Sequence, residues 1–150
     1  MKVIVSGCLL GNNCKYNGGN NYNENVVKFL ENKDYIVICP EEMGKMNTPR
    51  LPSEIQFSKT ADEVLRYEAK VLNIEGIDVT KYFVDGANMA LEIAKKNNCK
   101  LAILKDGSPS CGSNYVYNGN FEGKKIIGKG VCAHLLEKNG IEVISEYDVL

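Results

Sequence analysis

Six cysteines are spread over this 150-residue chain, and three share a setting the others lack. Cys8 follows the apolar run KVIVSG, Cys39 closes YIVI, and Cys111 lies in the loop KDGSPSCGSN that follows LAIL. Short β-branched runs ended by Gly, Pro or small polar residues read as buried strands. In open parallel sheets the carboxyl ends of the strands form one edge, where ligands bind. Three thiols separated by 31 and 72 residues are therefore expected to converge there. Three thiolates with no histidine beside them suit a soft metal or an iron–sulfur cluster. Structural zinc takes four N or S ligands, commonly with a C-x-x-C pair, and the chain has no such pair. Three protein ligands on a four-iron cluster leave one iron open as a Lewis acid, which points to catalysis more than to electron transfer.

The other cysteines read differently. Cys99 precedes a strand and belongs at the opposite edge, and Cys132 begins a helical pattern and reads as packed. Cys14, six residues beyond Cys8 in CLLGNNCKYNGG, is close enough for a fourth ligand and equally able to be a spectator. Arg50 in TPR and Lys105 at a strand end are candidates to bind a polar substrate group, with an ordinary ion pair as the plainer reading of each. Ser108 and Ser110 flank Pro109, where hydroxyls commonly bond to nearby backbone. His134, the only histidine, falls inside the pattern VCAHLLEK and reads as a packed or exposed helix residue.

The elements that must position these side chains follow from periodicity. KVIVSG and DYIVICPE read as buried strands, joined by a helix over NENVVKFLENK with Val26, Val27, Phe29 and Leu30 on its apolar stripe and Asn23 or Asn25 as cap. Residues 43–58, with two prolines and no period, read as a long loop of the kind that carries function. Helical patterns resume at TADEVLRYEAKVLNIEG and at DVTKYFVDGANMALEIAKKNN. In the second, Asp78 or Thr80 caps and Val79, Phe83, Ala87, Ala90, Leu91 and Ala94 face the core. KLAILKDG is a third strand, YVYNGNFEGKKIIGKG accommodates a hairpin or an irregular excursion, VCAHLLEKNG is a helix and IEVISEYD a fourth strand. Strands alternating with helices predict an α/β chain: one domain over residues 1–150, Rossmann-like and three-layered, with a mainly parallel sheet of about four strands.

Bulk properties bound the function. Hydrophobic residues make up 44% and charged residues 25%, ordinary for a globular domain with its own core. A net charge of −1 lacks the basic footprint that nucleic acid or an anionic membrane surface requires. No segment reads as a secretory leader or membrane span, so a cytoplasmic location is expected, where thiols stay reduced.

Read together and in order, VSGCLLGNNCKYNGG, CPEEMGKMNTPR with LPSEI, ILKDGSPSCGS and GKGVCAHLLEKNGIEVISE resemble the domain-of-unknown-function family 523 over essentially the whole chain. That family includes thiouracil desulfidases, which hold a 4Fe-4S cluster by three cysteines and release the sulfur of 2-thiouracil as hydrogen sulfide. The resemblance implies Cys8, Cys39 and Cys111 as cluster ligands with one iron not bound by protein. It implies Glu41 of CPEE and Ser108 of SPSCG in proton transfer and substrate orientation, and a small thiolated base as substrate, desulfurated by hydrolysis without net redox. Lys15 and Asn17 stand where the family pattern shows Arg and Asp, and GKMNTPR lacks the usual Gly-Leu-Pro. These departures bear on the substrate and leave the ligand positions intact.

Two rival readings fit the same sequence. IIGKGVCA, with Gly128 and Gly130, satisfies G-x-G-x-x-A before a helix, and IEVISE ends in Glu146 at the distance expected of a ribose contact, which would make a nucleotide-binding module. Alternatively, the three cysteines serve a non-catalytic iron–sulfur sensor or assembly protein.

Overall fold

The computed structural model describes residues 2–149. Along the chain run β1 (Lys2–Ser6), a 3-10 turn (Gly7–Leu10), α1 (Glu24–Leu30), β2 (Asp34–Ile38), α2 (Pro40–Met43), β3 (Ser53–Ile55), α3 (Ala61–Leu65), β4 (Val71–Asn73), α4 (Thr80–Lys96), β5 (Leu101–Leu104), β6 (Tyr115–Tyr117), β7 (Lys125–Ile127), α5 (Val131–Lys138) and β8 (Glu142–Ser145). The main sheet has the order β2-β1-β5-β8 with every pairing parallel. Chain order therefore reverses between β1 and β5, which makes the crevice beyond their carboxyl ends the switch point of the sheet.

Side-chain alternation divides the sheet between two apolar layers. Ile4, Ala102 and Leu104 pack with Phe83, Ala87, Ala90 and Ala94 of α4 and with Val131, Ala133 and Leu136 of α5. Val3, Val5 and Ile103 face the other way, onto Leu9, Val26 and Leu30. The result is the expected three-layer α/β arrangement. Asn23 caps α1 by accepting the Val26 N–H at 3.1 Å, and Asp78 accepts the Thr80 N–H at 2.9 Å where α4 begins. Of the expected apolar face of α4, only Leu91 is half-buried rather than buried. Gly86 lets α2 lie directly on α4: a Cβ there would come within 1.9 Å of the Pro40 carbonyl oxygen. This close approach fixes the short helix that follows Cys39.

Three expectations change. DYIVI is not buried: β2 is the sheet's edge, with only Ile38 buried, and Tyr35 and Val37, on the face of Val3 and Val5, are exposed outside the apolar cluster that covers those two. The helical pattern over residues 60–76 yields only α3, opened by the Thr60–Glu63 capping box, after which Tyr67 takes φ 57° and the chain becomes β4. Pairing of β4 with β3 explains both this change and the strand found inside the expected 43–58 loop. Of the two readings of the glycine-studded segment 115–130, the hairpin is the one formed, β6 with β7. Among the described residues no helix is long and apolar enough to cross a membrane.

Candidate active site

A cavity of about 530 Å³ opens at the carboxyl ends of β1, β2 and β5, lined among others by Cys8, Cys14, Cys39 and Cys111. Its position is the switch point of the sheet, and each thiol arrives from a different segment. Cys8 sits in the 3-10 turn just after β1, which Gly11 ends at φ 93°, with its N–H on the Cys8 carbonyl at 3.2 Å. Cys39 immediately precedes Pro40, the first residue of α2. Cys111 lies 5% exposed in the loop after β5. The structure thus brings the three strand-end cysteines to one cavity, with Cys14 among them, while Cys99 packs in the core.

Thiol chemistry in the cavity is uneven. The Cys14 thiol beside it brings Cys8 down to about 7, helped against burial by Asn21, whose Nδ2 lies 3.4 Å from the sulfur. Cys39 is also lowered, first by Cys14 and, against burial, by the Glu42 amide. Cys14, shared between those two sulfurs, is pushed far up as the group that keeps its proton. Burial pushes Cys111 up, reinforced by the charge of Cys132, Cys8 and Cys39 and opposed by a hydrogen bond with Ser6. A thiol that deep becomes a thiolate when a cation replaces its proton.

The loop that carries Cys111 is built around one carboxylate. Asp106, 2% exposed, accepts on Oδ1 the backbone N–H groups of Gly107, Ser113, Asn114 and Tyr115 at 2.9–3.1 Å, and on Oδ2 the Asn114 side chain at 2.9 Å. Burial works against its charge, but these donors hold the carboxyl below its usual range. From the other side, α5 grips the loop: Val131 N–H donates to Pro109, and Cys132 and Ala133 N–H donate to Ser110, at 2.8–3.1 Å. Gly130 permits this approach, since a Cβ there would lie 2.5 Å from the Ser110 carbonyl carbon. The same contacts overturn the nucleotide-binding reading. The amides a pyrophosphate would need are occupied, Gly128 and Gly130 follow a hairpin strand rather than a parallel one, and Glu146 is buried on the Asp106 N–H at 2.8 Å.

Glu41, in the first turn of α2, faces this loop across the cavity. Its Oε2 accepts the Ser110 hydroxyl at 2.9 Å and lies 3.5 Å from the Ser108 hydroxyl, and the two serine oxygens are 2.9 Å apart. Ser108 Oγ also accepts the Ser110 and Cys111 N–H groups at 3.1 Å. Its own proton is therefore free to point to Ser110, giving the chain Ser108 to Ser110 to Glu41. Glu41 Oε1 pairs with Arg50 Nε at 3.0 Å, in a largely buried ion pair. The remaining Arg50 nitrogens reach the Asn47 and Cys14 carbonyls and the Thr48 hydroxyl. Arg50 thus braces Glu41 and two loops. Lys105 lines the cavity with Nζ 3.1 Å from Glu146 and 2.6 Å from the Asp106 carbonyl. Burial opposes its charge, yet Glu146 outweighs this and raises it.

The cavity holds Glu41, Ser108, Arg50 and Lys105 of the sequence expectations, and of the two readings of Cys14 it shows the thiol beside the other three, while Asp106 had no signal in the sequence and Ser110 had been read only as a loop hydroxyl. The two serines around Pro109 were the only available signal for Ser110. His134 is remote, 3.3 Å from Asp62 between α5 and α3. The cavity's outer wall is aromatic, with Tyr16, Tyr117 and Phe121. Glu54 secures the segment bearing Phe121 by accepting the Gly119 and Phe121 N–H groups at 2.8 and 3.2 Å.

Comparison with known proteins places these features in context. The sequence profile described as 2-thiouracil desulfurase matches residues 3–148. A protein of Bacillus subtilis strain 168, YbbK, described as uncharacterized, is 44% identical over 147 residues, covering 98% of this chain and 97% of its own length. A solved structure described as the [4Fe-4S]-dependent thiouracil desulfidase TudS superposes with a TM-score of 0.86 at 39% identity, covering 99% of this chain and 92% of that one.

Proposed function

Because the chain belongs to the 2-thiouracil desulfurase family, we propose that it is a desulfidase that removes sulfur from a thiolated pyrimidine base such as 2-thiouracil as sulfide, by hydrolysis without net electron transfer. The cofactor of this reading is a 4Fe-4S cluster held by Cys8, Cys39 and Cys111, with one iron not bound by protein. The donor set fits such a group. All three thiols line one cavity, no histidine reaches it, and Asn21 Nδ2 stands 3.4 Å from the sulfur of Cys8 as a donor. Hydrogen bonds to ligand sulfur are a usual feature of iron–sulfur sites. When bound, the cluster supplies a soft Lewis acid for the thiocarbonyl sulfur, which favours sulfide as the leaving group.

The observation that carries the proposal is the Ser108–Ser110–Glu41 chain lining the three-thiol cavity. In the overall reaction water adds its oxygen to the thiocarbonyl carbon, the carbon–sulfur bond breaks, and the base leaves with a carbonyl in place of the thiocarbonyl. Two protons end on sulfide, and no electrons are exchanged. Glu41 takes the proton of the attacking water and returns one to the departing sulfur, with Arg50 fixing its carboxylate plane. Ser110 links Glu41 to Ser108, which orients the water and the substrate's polar edge. Lys105 and the remaining Arg50 N–H are the groups assigned to the substrate carbonyl. Tyr16, Tyr117 and Phe121 give a planar ring an apolar wall.

The test is anaerobic turnover of 2-thiouracil by the reconstituted full chain without any electron donor. The proposal expects sulfide and uracil in equal amounts, and a loss on the order of 10²-fold or more for Glu41→Gln with its iron content unchanged. A requirement for a reductant would overturn the hydrolytic route, and a loaded chain that releases no sulfide would favour the sensor reading.

A further inference from the structure

Cys14 is the thiol that the proposed cluster leaves over, and its surroundings are built rather than incidental. Its Sγ, the Cys39 Sγ and a carboxylate oxygen of Glu42 all lie within 4.8 Å of one another, a group that does not include Cys8. Cys14 is 7% exposed, and its carbonyl is fixed by Arg50 Nη2 at 2.9 Å. The Glu42 carboxylate accepts the Thr48 hydroxyl, whose oxygen in turn accepts Arg50 Nη1 at 2.8 Å. Two segments supply the donors, Cys14 from one and Cys39 with Glu42 from the other, and the Arg50–Thr48 brace ties Cys14 to Glu42. Hydrogen-bonded support behind the ligating atoms is what metal sites characteristically have.

We propose that in the chain without its cluster, Cys14, Cys39 and Glu42 bind one thiophilic divalent cation of the zinc class, with water in the fourth position. The inference rests on the reading above in one respect: Cys39 serves both this ion and the cluster. Zinc–sulfur and zinc–oxygen bonds of about 2.3 and 2.1 Å put tetrahedral ligand atoms roughly 3.5–3.8 Å apart, within reach of the observed grouping by small side-chain rotations. Two thiolates with a carboxylate suit zinc or cobalt and not magnesium or calcium, which take oxygen donors. Binding replaces the Cys14 and Cys39 thiol protons, two in all, which pass to solvent, and no electron moves. Glu42 is exposed, which gives the ion its way in. Because Cys39 is shared, a zinc-loaded chain takes up the cluster slowly.

The experiment uses the reduced, cluster-free full chain under anaerobic conditions, titrated with Co²⁺ for its thiolate charge-transfer absorption and with Zn²⁺ against a chelator for affinity. The proposal expects one ion per chain, and affinity reduced at least about 10–100-fold in both Cys14→Ser and Glu42→Gln, a loss seen even for outer-layer partners. Cys111→Ala keeps wild-type zinc affinity while failing to take up iron, and Cys14→Ser does the reverse. Prior zinc loading slows cluster reconstitution in the wild type and not in Glu42→Gln. Cys14→Ser or Glu42→Gln with wild-type zinc affinity, equal losses in Cys111→Ala, or no uptake would overturn the site. A wild type that binds zinc through Cys14 but never takes up iron would overturn the cluster reading and leave the zinc site standing.

Discussion

The Cys111 thiol is where it is because of Asp106, a residue whose role is visible only once its hydrogen bonds are. In the folded chain its carboxyl lies below its ordinary range, so its contribution is complete above the unfolded value of about 3.9 and is lost as pH falls through the lower folded one. Asp106→Asn leaves Oδ1 for the backbone amides but sets Nδ2 against the Asn114 amide, donor to donor. A loss of about 2 kcal/mol is expected at pH 7 in urea unfolding, narrowing as pH falls below about 4, where first the unfolded and then, at lower pH, the folded wild type takes up the proton. Ser110 matters for a different reason: its single proton stands between Glu41 and the Cys111 sulfur. Ser110→Ala should lower sulfide release by about tenfold or more while leaving a folded, iron-loaded chain, and Ser110→Thr should recover most of it. The sequence displayed Glu41, Ser108 and Ser110 equally plainly. What it lacked was the distance across the cavity, which makes Ser110 and not Ser108 the nearer partner of Glu41.

At the scale of elements, the site depends on two close approaches that glycine permits. Gly86 of α4 admits the Pro40 carbonyl, and Gly130 at the start of α5 admits the Ser110–Cys111 backbone. Gly130→Ala should cost roughly 1–3 kcal/mol through overpacking, and because the displaced segment bears Cys111 it should also lower iron retention. Gly86→Ala should act in the same way through Cys39 and Glu41, whereas Gly76→Ala, with no neighbour within 4 Å, should leave iron content unchanged. Iron per chain after gel filtration, compared with unfolding midpoints, checks these expectations. The strands of the main sheet were legible because each is a short apolar run closed by Gly, Pro or a polar loop. β3 and β4 were not, because three-residue strands carry no measurable period, and the pairing between them outweighs the helical pattern after Leu65.

Across the whole molecule, three thiols from segments 31 and 72 residues apart reach one cavity only when β2, β1 and β5 are in register. That much followed from parallel topology, since strand ends of one sense share an edge whatever lies between them in sequence. The course of residues 11–23, which returns Cys14 to the same cavity, depends on turns and side-chain contacts that no periodicity announces. A group that binds only the folded chain stabilises it, so chelation and removal of iron should lower the unfolding temperature of the wild type but not of Cys111→Ala. The central claim is that Cys8, Cys39 and Cys111, and no other cysteines, hold the cofactor. The most direct measurement is iron per chain after anaerobic reconstitution of the six single Cys→Ala variants. About four irons are expected for the variants at Cys14, Cys99 and Cys132, and loss of the cluster at Cys8, Cys39 and Cys111. Full loading after loss of any of those three, or failure to load when only Cys14, Cys99 or Cys132 is changed in a folded chain, would contradict that claim.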